Sequence, residues 1–404
     1  MIKVVDLFAG CGGLTEGFIQ TGKFTTVAAV EWDKAAAETL KNRLTSKWQY
    51  ADAENKILIF DIQRIDELLN GWKDYEYGEH VGLLELIGNR QLDLVIGGPP
   101  CQAYSIAGRI RDKQGMQNDY RNFLFESYIE VVKTLRPRAI IFENVLGILS
   151  AKPGGIPIID RIADSFGEID YAISSDIRKQ SVIRMKEYGV PQNRERVILV
   201  GVDKRRYGAR SDGLVNQFYE EILPKFKKTT ERNVGEAISD LKKFIPKATP
   251  YKILNKRYSH KPHKSQTPNH IPRYHNLRDI QIFKKLAEDS LKENPKYTNS
   301  TELKRLYTET TGRVSNVHKY HVLKADRPSN TIVAHLHKDG LRHIHPDPQQ
   351  ARTITVREAA RLQEFDDDFE FLSTQSNNYK MIGNAVPVGF ANILAQAVYE
   401  LLNN

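Results

Sequence analysis

Short apolar runs alternate with amphipathic stretches over the first half of the chain. Apolar residues at helical spacing predict helices over Lys34–Leu44 and Tyr120–Leu135, and Pro137 ends the second. Six apolar runs have the length and composition of buried strands, namely Ile2–Asp6, Val27–Val30, Ile57–Phe60, Leu92–Ile96, Ala139–Phe142 and Val197–Val202. This alternation predicts an α/β sandwich around a mostly parallel sheet.

The regular pattern is lost from about residue 204 to 350, where proline and histidine become frequent. Helical spacing returns at Arg357–Gln363 and again from about Val388 to Leu402. We therefore expect one domain over residues 1–203, completed by 351–404, and a smaller domain of irregular architecture over 204–350.

Charge is distributed unevenly within a net charge of +9. Residues 201–350 hold 30 Lys/Arg and 16 Asp/Glu, whereas the rest of the chain holds 29 and 34. This excess favours a phosphate backbone as the partner, although a solvated basic surface is the alternative and charge does not distinguish DNA from RNA. The pairs His335-x-His337 and His343-x-His345 lie in this block, but no cysteine or well-placed acid completes a tetrahedral set. No metal site is predicted.

The composition also bears on the cellular compartment. No run of about 18 apolar residues predicts a membrane span, and the N-terminus enters a strand without a signal-peptide pattern. Two cysteines, Cys11 and Cys101, cannot build a disulfide framework. We expect a reduced, cytoplasmic protein.

A glycine-rich turn, Asp6-Leu7-Phe8-Ala9-Gly10-Cys11-Gly12-Gly13-Leu14, follows the first predicted strand. Glycine lets the backbone turn sharply and approach a ligand closely. Glu31 ends the second strand, where an acid can bond ribose hydroxyls, and Asp61 lies in the analogous place after the third. The pattern predicts an adenosine-bearing cofactor without separating NAD from S-adenosylmethionine. A helix cap or a surface position is the alternative for each acid.

A second turn, Gly97-Gly98-Pro99-Pro100-Cys101-Gln102, follows the fourth predicted strand. Because Pro-Pro stiffens the turn, Cys101 stands where an α/β enzyme would place a nucleophile. A small buried hydrophobe is the alternative for a lone cysteine.

Two further motifs carry charge. Glu143 in Glu143-Asn144-Val145 ends the fifth strand on the same edge as Cys101, and Gln192–Arg196 places two arginines before the sixth. Arginine binds anions or a carbonyl oxygen with fixed geometry, although an edge-strand charge cluster is the alternative. Gly383–Pro387 predicts a turn before the last helix.

Taken in order, these motifs resemble those of the DNA cytosine-5 methyltransferases over nearly all of residues 1–203 and 350–404. The resemblance implies a Rossmann-like, S-adenosylmethionine-dependent methyltransferase sheet, with the target-recognition domain at 204–350. Ser329–Val333 is similar to the usual closing segment of that domain, whereas Asp366 stands where the family commonly has proline. The implied cofactor-binding residues are Asp6, Phe8, Ala9, Gly10, Gly12, Gly13, Leu14, Glu31, Trp32, Asp61, Ile62, Pro100, Leu124, Asn384 and Val386.

The resemblance also implies catalytic roles. Cys101 would attack C6 of cytosine as a thiolate, Glu143 would grip the base, and Arg196 would contact the cytosine carbonyl, with Arg194 adding to the positive field. Ser105 and Gln192 are the implied DNA contacts, and Ser105 could equally be a hydroxyl that faces water.

The implied function is methyl transfer from S-adenosylmethionine, with S-adenosylhomocysteine as product, to C5 of a cytosine flipped out of duplex DNA. We expect a monomeric modification enzyme of a restriction–modification system, with no obligate protein partner. A transfer-RNA cytosine methyltransferase is the nearest alternative, and the long basic block counts against it. A DNA-binding regulator with a decayed site is a second, and a nicotinamide dehydrogenase, which leaves the Pro-Pro-Cys turn unexplained, is a third.

Overall fold

The structure is a computed structural model that describes residues 1–88, 91–100, 124–253, 256–261, 267–318 and 320–404. All six predicted strands are present in it, with ends that differ by a few residues. The strands of the described residues are β1 (Ile2–Leu7), β2 (Phe24–Glu31), β3 (Ile57–Ile59), β4 (Trp72–Asp74), β5 (Gly78–His80), β6 (Leu94–Gly97), β7 (Ala139–Val145), β8 (Tyr171–Ile173), β9 (Val182–Arg184), β10 (Gln192–Asn193), β11 (Glu195–Asp203), β12 (Pro246–Ile253), β13 (Lys256–His260) and β14 (Ser329–Asn330).

Helices connect these strands, and short 3₁₀ turns fill several of the remaining links. The predicted helix over Tyr120–Leu135 is present from Leu124, and its predicted start lies outside the described residues. The α-helices of the described residues are α1 (Gly13–Gln20), α2 (Lys34–Ser46), α3 (Ala53–Lys56), α4 (Ile65–Asn70), α5 (Gly82–Ile87), α6 (Leu124–Leu135), α7 (Ile158–Glu168), α8 (Ile177–Gln180), α9 (Lys204–Tyr207), α10 (Ser211–Gln217), α11 (Val234–Ile238), α12 (Leu277–Ser290), α13 (Ser300–Thr311), α14 (Val356–Leu362), α15 (Gln375–Asn384) and α16 (Val388–Asn403).

The main sheet is mixed, and in the described residues it has eight strands. The order is β3-β2-β1-β6-β7-β11-β8, with β9 also pairing with β11. The neighbouring strands β3, β2, β1, β6 and β7 are parallel, whereas β11 runs antiparallel to β7, β8 and β9. The sheet is thus mostly parallel, as predicted, since β11 alone of these eight strands is reversed. The sequence did not reveal that reversal, because a strand buried on both faces has the same apolar run whichever way it points.

Helices cover both faces of this sheet. On one face α1 packs so closely on α16 that a Cβ on Gly17 would lie 2.5 Å from Cβ of Ala391. On the other face Tyr128 of α6 is fully buried and donates its hydroxyl hydrogen to the carbonyl of Ile141 on β7, at 2.9 Å. Central strands β1, β6 and β7 are therefore buried on both sides, as their continuous apolar sequences predict.

The chain divides into two compact units. Unit 1 comprises residues 1–188, 195–229 and 385–404, and unit 2 comprises 189–194 and 230–384. The sequence placed the boundaries at 203/204 and 350/351 instead. The first difference arises because residues 204–229 pack on the sheet: the hydroxyl of Tyr219 accepts from the amide of Val200 and donates to the carbonyl of Ile198, both at 2.8 Å.

Unit 2 has a core with an unusual share of polar side chains. Arg352 donates to both carboxylate oxygens of Glu358 at 2.6 Å, and both residues are buried. His260, His343 and His345 are buried as well, and His260 is 2.8 Å from the carbonyl of Gln350 through Nε2. Burial lowers the pKa of each of these three histidines to about 4, and for His345 it outweighs the opposing effect of the nearby Glu358 carboxylate.

One helical stretch of the described residues, Gln375–Asn403, is long and apolar enough to cross a membrane by length and composition alone. Of its most apolar window, 67% is buried inside the structure, which is the behaviour of a core helix in a soluble protein. Pro387 separates its two parts, α15 and α16.

The buried histidines predict that acid weakens the protein. His343 has a pKa of about 4 in the folded protein and 6.5 in the unfolded chain. Its contribution to the free energy of unfolding is therefore full above pH 6.5, and it is lost as the pH falls towards 4, because the unfolded chain then binds a proton that the folded protein does not. The variant His343→Gln lacks one such group. As the pH falls, the free energy of unfolding of the variant should therefore decrease less steeply than that of wild type, and the two slopes should differ by up to about 1.4 kcal/mol per pH unit. Urea unfolding at several pH values between 7.5 and 4.5 measures this. Because every other group titrates in both proteins, parallel curves would contradict the prediction.

Candidate active site

The carboxyl ends of four neighbouring strands are level with one another. In the register of the sheet, Leu7 of β1 lies opposite Val30 of β2 and Gly97 of β6, and Gly97 lies opposite Phe142 of β7. The next residue on each strand is therefore Phe8, Glu31, Gly98 or Glu143. Open α/β sheets bind ligands at this edge, and the predicted site residues of unit 1 gather there.

The glycine-rich turn after β1 depends on residues without side chains. Gly12 has a φ of +90°, and a Cβ there would lie 2.4 Å from Cδ1 of Leu40. A Cβ on Gly13 would lie 2.4 Å from the carbonyl oxygen of Val386. The turn is thus closed between α2 and the segment that leads into α16, which brings Val386 beside the predicted cofactor loop.

Glu31 fixes the shape of this turn. Its Oε2 accepts from the amide of Gly10 at 2.7 Å, and its Oε1 accepts from the amide of Asp33 at 2.6 Å. Burial raises the pKa of Glu31, although the backbone amides oppose that shift. Each oxygen retains a lone pair, so a ribose hydroxyl can still donate to the carboxylate.

Asp6 lies beneath the same turn and is completely buried. The hydroxyl of Thr15 donates to its Oδ2 at 2.6 Å, whereas Oδ1 has no hydrogen-bond partner among the described residues. Burial raises the pKa of Asp6 to about 7. An unpartnered buried oxygen is costly, so this position suits a ligand or water that donates a hydrogen bond.

The remaining cofactor residues predicted in unit 1 differ in their burial and contacts. Asp61 follows β3 and accepts from the amide of Gln63 at 3.0 Å, and Ile62 beside it is buried. Leu124 is buried at the start of α6, and Trp32 is 61% exposed. An aromatic ring left open to solvent next to Glu31 suits the stacking of a planar ring. Ala9 and Leu14 are buried within the turn and at the start of α1.

The turn that leads to Cys101 lies against the end of β7. A Cβ on Gly98 would lie 2.8 Å from Oε2 of Glu143, so a side chain here would displace the Glu143 carboxylate. The side-chain amide of Asn144 donates to the carbonyl of Pro99 at 3.2 Å. Two consecutive residues of β7 therefore hold the two residues that precede Pro100, the last described residue before Cys101.

Arg196 completes this group from the neighbouring strand. Its Nε lies 3.0 Å from Oε1 of Glu143, and both side chains are about nine-tenths buried. The antiparallel pairing of β11 with β7 sets this contact, since Ile198 lies opposite Glu143 and Arg196 opposite Val145. A carboxylate and a guanidinium held together at a strand end can bind the donor and acceptor edges of one planar base.

The two cysteines differ. Cys11 is 1% exposed, and burial raises its pKa to about 12, so its thiol stays neutral and behaves as a small hydrophobe. Cys101 and Ser105 lie outside the described residues. Of the two thiols, Cys11 is thus unsuited to act as a nucleophile.

Two predicted site residues, Gln192 and Arg194, are buried and bond to other residues of unit 2. Gln192 is completely buried, its amide donates to the carbonyl of Leu362 and to Oε1 of Gln363, and its own Oε1 accepts from the amide of Ile332. Every polar atom of the Gln192 side chain is thus bonded within unit 2, so the predicted DNA contact through this side chain would require one of these bonds to break. Arg194 is 1% exposed and donates to the carbonyl of Ile332 at 2.9 Å.

Arg194 belongs to unit 2, and Glu143 and Arg196 belong to unit 1, so the structure does not group the two arginines within one unit. Asn384 is the exposed last residue of α15 in unit 2, whereas Val386 is buried in unit 1. The turn between them marks the boundary of the units.

The sequence did not single out Asn144 or Thr15. Each is a polar residue next to a predicted site residue. Thr15 bonds the Asp6 carboxylate, and Asn144 bonds the carbonyl of Pro99 in the turn before Cys101. Two consecutive polar residues, Glu143 and Asn144, directly after the predicted strand Ala139–Phe142 were the available signal for Asn144. A pocket of about 380 Å³ lies beside β8, and no predicted site residue lines it.

No group of three His, Cys, Asp or Glu side chains is arranged to hold a metal ion in the part of the chain that the structure describes. His343 instead lies 3.3 Å from the carbonyl of Thr331, and Nδ1 of His345 accepts from the amide of Asp347.

Comparison with known proteins gives a consistent result over the whole chain. The sequence model of the family described as C-5 cytosine-specific DNA methylase matches residues 2–400. Type II methyltransferase M.Bpa9945I of Bacillus paralicheniformis is 32% identical, with 99% of both chains covered. Type II methyltransferase M.XorII of Xanthomonas oryzae pv. oryzae is 31% identical, with 98% of this chain and 82% of its own length covered.

Solved structures agree with the fold. A prophage-encoded E. coli protein described as a DNA modification methyltransferase is 25% identical, covers both chains completely and gives a TM-score of 0.61. The S. pombe Dnmt2 methyltransferase, at 16% identity and a TM-score of 0.53, shares the fold over 100% of this chain and 99% of its own.

The contact between Gly13 and Val386 predicts the effect of a single methyl group. Gly13→Ala places a Cβ against a backbone carbonyl that cannot move freely, so the free energy of unfolding should fall by about 1–3 kcal/mol. Gly167→Ala is the matched control, because Gly167 lies in α7 with open space around it and alanine favours a helix. Urea unfolding should therefore separate the two variants. Equal midpoints would contradict the close packing of the turn.

Proposed function

Because this chain belongs to the C-5 cytosine-specific DNA methylases, we propose that it transfers a methyl group from S-adenosylmethionine to C5 of a cytosine flipped out of duplex DNA. Its type II relatives support a place as the modification enzyme of a restriction–modification system, which would act in the cytoplasm. That the enzyme acts as a monomer is part of the proposal and does not rest on these relatives.

One observation carries the proposal. The turn before Cys101 lies directly against the end of β7, through Gly98 beside Glu143 and Asn144 bonded to Pro99. Arg196 pairs with that same glutamate. A nucleophile that follows this turn, an acid and an arginine are the groups that addition to a pyrimidine ring requires.

The residues present fit S-adenosylmethionine. The glycine-rich turn leaves no room for a Cβ at Gly12 or Gly13, Glu31 suits the ribose hydroxyls, and the unpartnered Oδ1 of Asp6 can accept a hydrogen bond. Asp61, Ile62 and Trp32 would hold the adenine ring, with Phe8, Leu124 and Val386 completing the pocket. When bound, this cofactor supplies an electrophilic methyl group.

Catalysis by this chain starts at Cys101. In the proposed step its thiolate Sγ forms a bond to C6 of cytosine, and the electron pair of the C5–C6 double bond becomes available at C5. Glu143 grips the exocyclic amine and N3, and Arg196 offsets the negative charge that develops on the ring. After methylation the C5 proton passes to solvent water, the electron pair of the C5–H bond re-forms the C5–C6 double bond, and the Sγ–C6 bond breaks with sulfur leaving as the Cys101 thiolate.

Duplex DNA is the proposed partner, and residues 204–350 are proposed as the main source of phosphate contacts, with Ser105 as a further one. Flipping a base costs a few kcal/mol, which contacts to phosphates and to the flipped base must offset. The positive excess of residues 201–350 supports this assignment.

The direct test of the proposed function uses labelled S-adenosylmethionine with either plasmid DNA or transfer RNA. Label should enter DNA, and bisulfite sequencing of plasmids from expressing cells should place it at cytosines of one short sequence. Label found only in transfer RNA would overturn the choice of substrate, and label in neither would overturn the activity.

The proposed nucleophile has its own test. Cys101→Ser should abolish methyl transfer while S-adenosylmethionine still binds, because a serine hydroxyl is far less ionised than a thiol at neutral pH. Duplex DNA that carries 5-fluorocytosine should become covalently attached to wild type in the presence of the methyl donor. Peptide mapping should locate the adduct at Cys101, and an adduct at Cys11 or substantial turnover by Cys101→Ser would contradict the assignment.

A further inference from the structure

Unit 2 carries a two-stranded ribbon, β12–β13, that is buried at its base and exposed further out. At the base, Ser259 and His260 are buried, and the Ser259 hydroxyl accepts from the amide of His275 at 3.0 Å. Beyond them Lys252 and Ile253 on β12, and Lys256 on β13, are exposed. An isolated two-stranded ribbon is marginally stable in water, so its outer half gains from a partner.

The charge of this region is of one sign. From residue 242 to 278 the sequence has ten Lys/Arg and no Asp/Glu. On the ribbon itself Lys247, Lys252, Lys256 and Arg257 are exposed, and none of the four has a carboxylate within ion-pair distance in the residues that the structure describes. The ribbon is therefore a concentrated source of positive potential within a basic unit.

Two of these cations lie directly opposite one another. In the antiparallel register Lys252 is paired with Arg257, one residue from the Tyr251–Tyr258 pair. Like charges on directly opposed residues of a ribbon destabilise it. An anion placed between them would remove that cost, which is a reason for the pair to bind phosphate.

Aromatic contacts hold the ribbon in shape. Tyr251 and Tyr258 stack with ring centroids 5.5 Å apart, and the Tyr251 hydroxyl donates to the carbonyl of His260 at 3.0 Å. Successive side chains of a strand point to opposite faces, so Lys252 and Arg257 project from the face opposite the tyrosines. The guanidinium of Arg257 lies 6.0 Å from the ring centroid of Tyr274, which restricts its position.

We infer that the β12–β13 ribbon is a DNA-contacting element, with Lys252 and Arg257 binding backbone phosphates of the duplex. A two-stranded ribbon has the width to enter the major groove of DNA. Because the paired strands already position Lys252 and Arg257, the two side chains lose little additional conformational freedom when they bind phosphates. This inference rests on the proposed function for the identity of the nucleic acid, and it assigns phosphate contacts rather than base recognition.

The test compares Lys252→Gln/Arg257→Gln with a control of equal charge loss, Lys47→Gln/Lys133→Gln, at exposed positions of unit 1 that lie outside residues 204–350. Binding of each full-length protein to a short fluorescein-labelled duplex of random sequence is measured by anisotropy over a range of salt concentrations. The ribbon variant should bind at least about tenfold more weakly near 0.1 M salt, and the slope of log K against log salt should fall by about 2. Its thermal unfolding midpoint should not fall, because a like-charge pair has been removed.

Binding and methylation are measured separately, so the two proposals can fail separately. If the ribbon variant binds DNA as the control does while wild type methylates plasmid DNA, the ribbon assignment is wrong and the function stands. If wild type methylates no DNA, the proposed function fails, and the anisotropy data still decide the ribbon. Weaker binding confined to transfer RNA, used as a second probe, would overturn DNA as the partner of the ribbon.

Discussion

The level alignment of four parallel strand ends is the constraint on which the rest of the structure depends. Leu7, Val30, Gly97 and Phe142 form one row across the sheet, so each strand delivers its next residue to the same edge. Backbone hydrogen bonds between buried strands fix this row, since a slip by one residue would turn every side chain to the other face. Residues more than a hundred positions apart in the chain become neighbours for that reason.

Close approach of glycine backbone to its neighbours is the second consequence of this arrangement. Gly13 leaves no space for a Cβ beside the backbone carbonyl of Val386, and Gly98 lies closely against the side-chain carboxylate of Glu143. The pocket is therefore shaped by main chain, which is stiff, and the side chains that act are held by neighbours such as Asn144. Such support limits the movement of reacting groups, which is what proximity effects in catalysis require.

The two units differ in how they manage charge. Unit 1 isolates a few carboxylates at one sheet edge, where burial raises the pKa of Asp6 and Glu31. Unit 2 buries neutral histidines around the Arg352–Glu358 pair, and it leaves its lysines at the surface. A polar core of this kind is stable only when its members are bonded to one another, and the rigid base that it gives the β12–β13 ribbon suits contact with a large charged partner.

The sequence by itself determined the α/β class, all six strands that it predicted, and the motifs at the edge of the sheet, because buried strands and tight turns need particular residues locally. It also located the basic block. Only the tertiary structure decided the direction of β11, the unit boundaries after residues 229 and 384, and the burial of Gln192 and Arg194. Those features depend on contacts between distant segments. The residue type of a polar side chain in a motif does not show whether that side chain contacts a ligand or is buried in a core. Only its packing in the folded protein distinguishes the two.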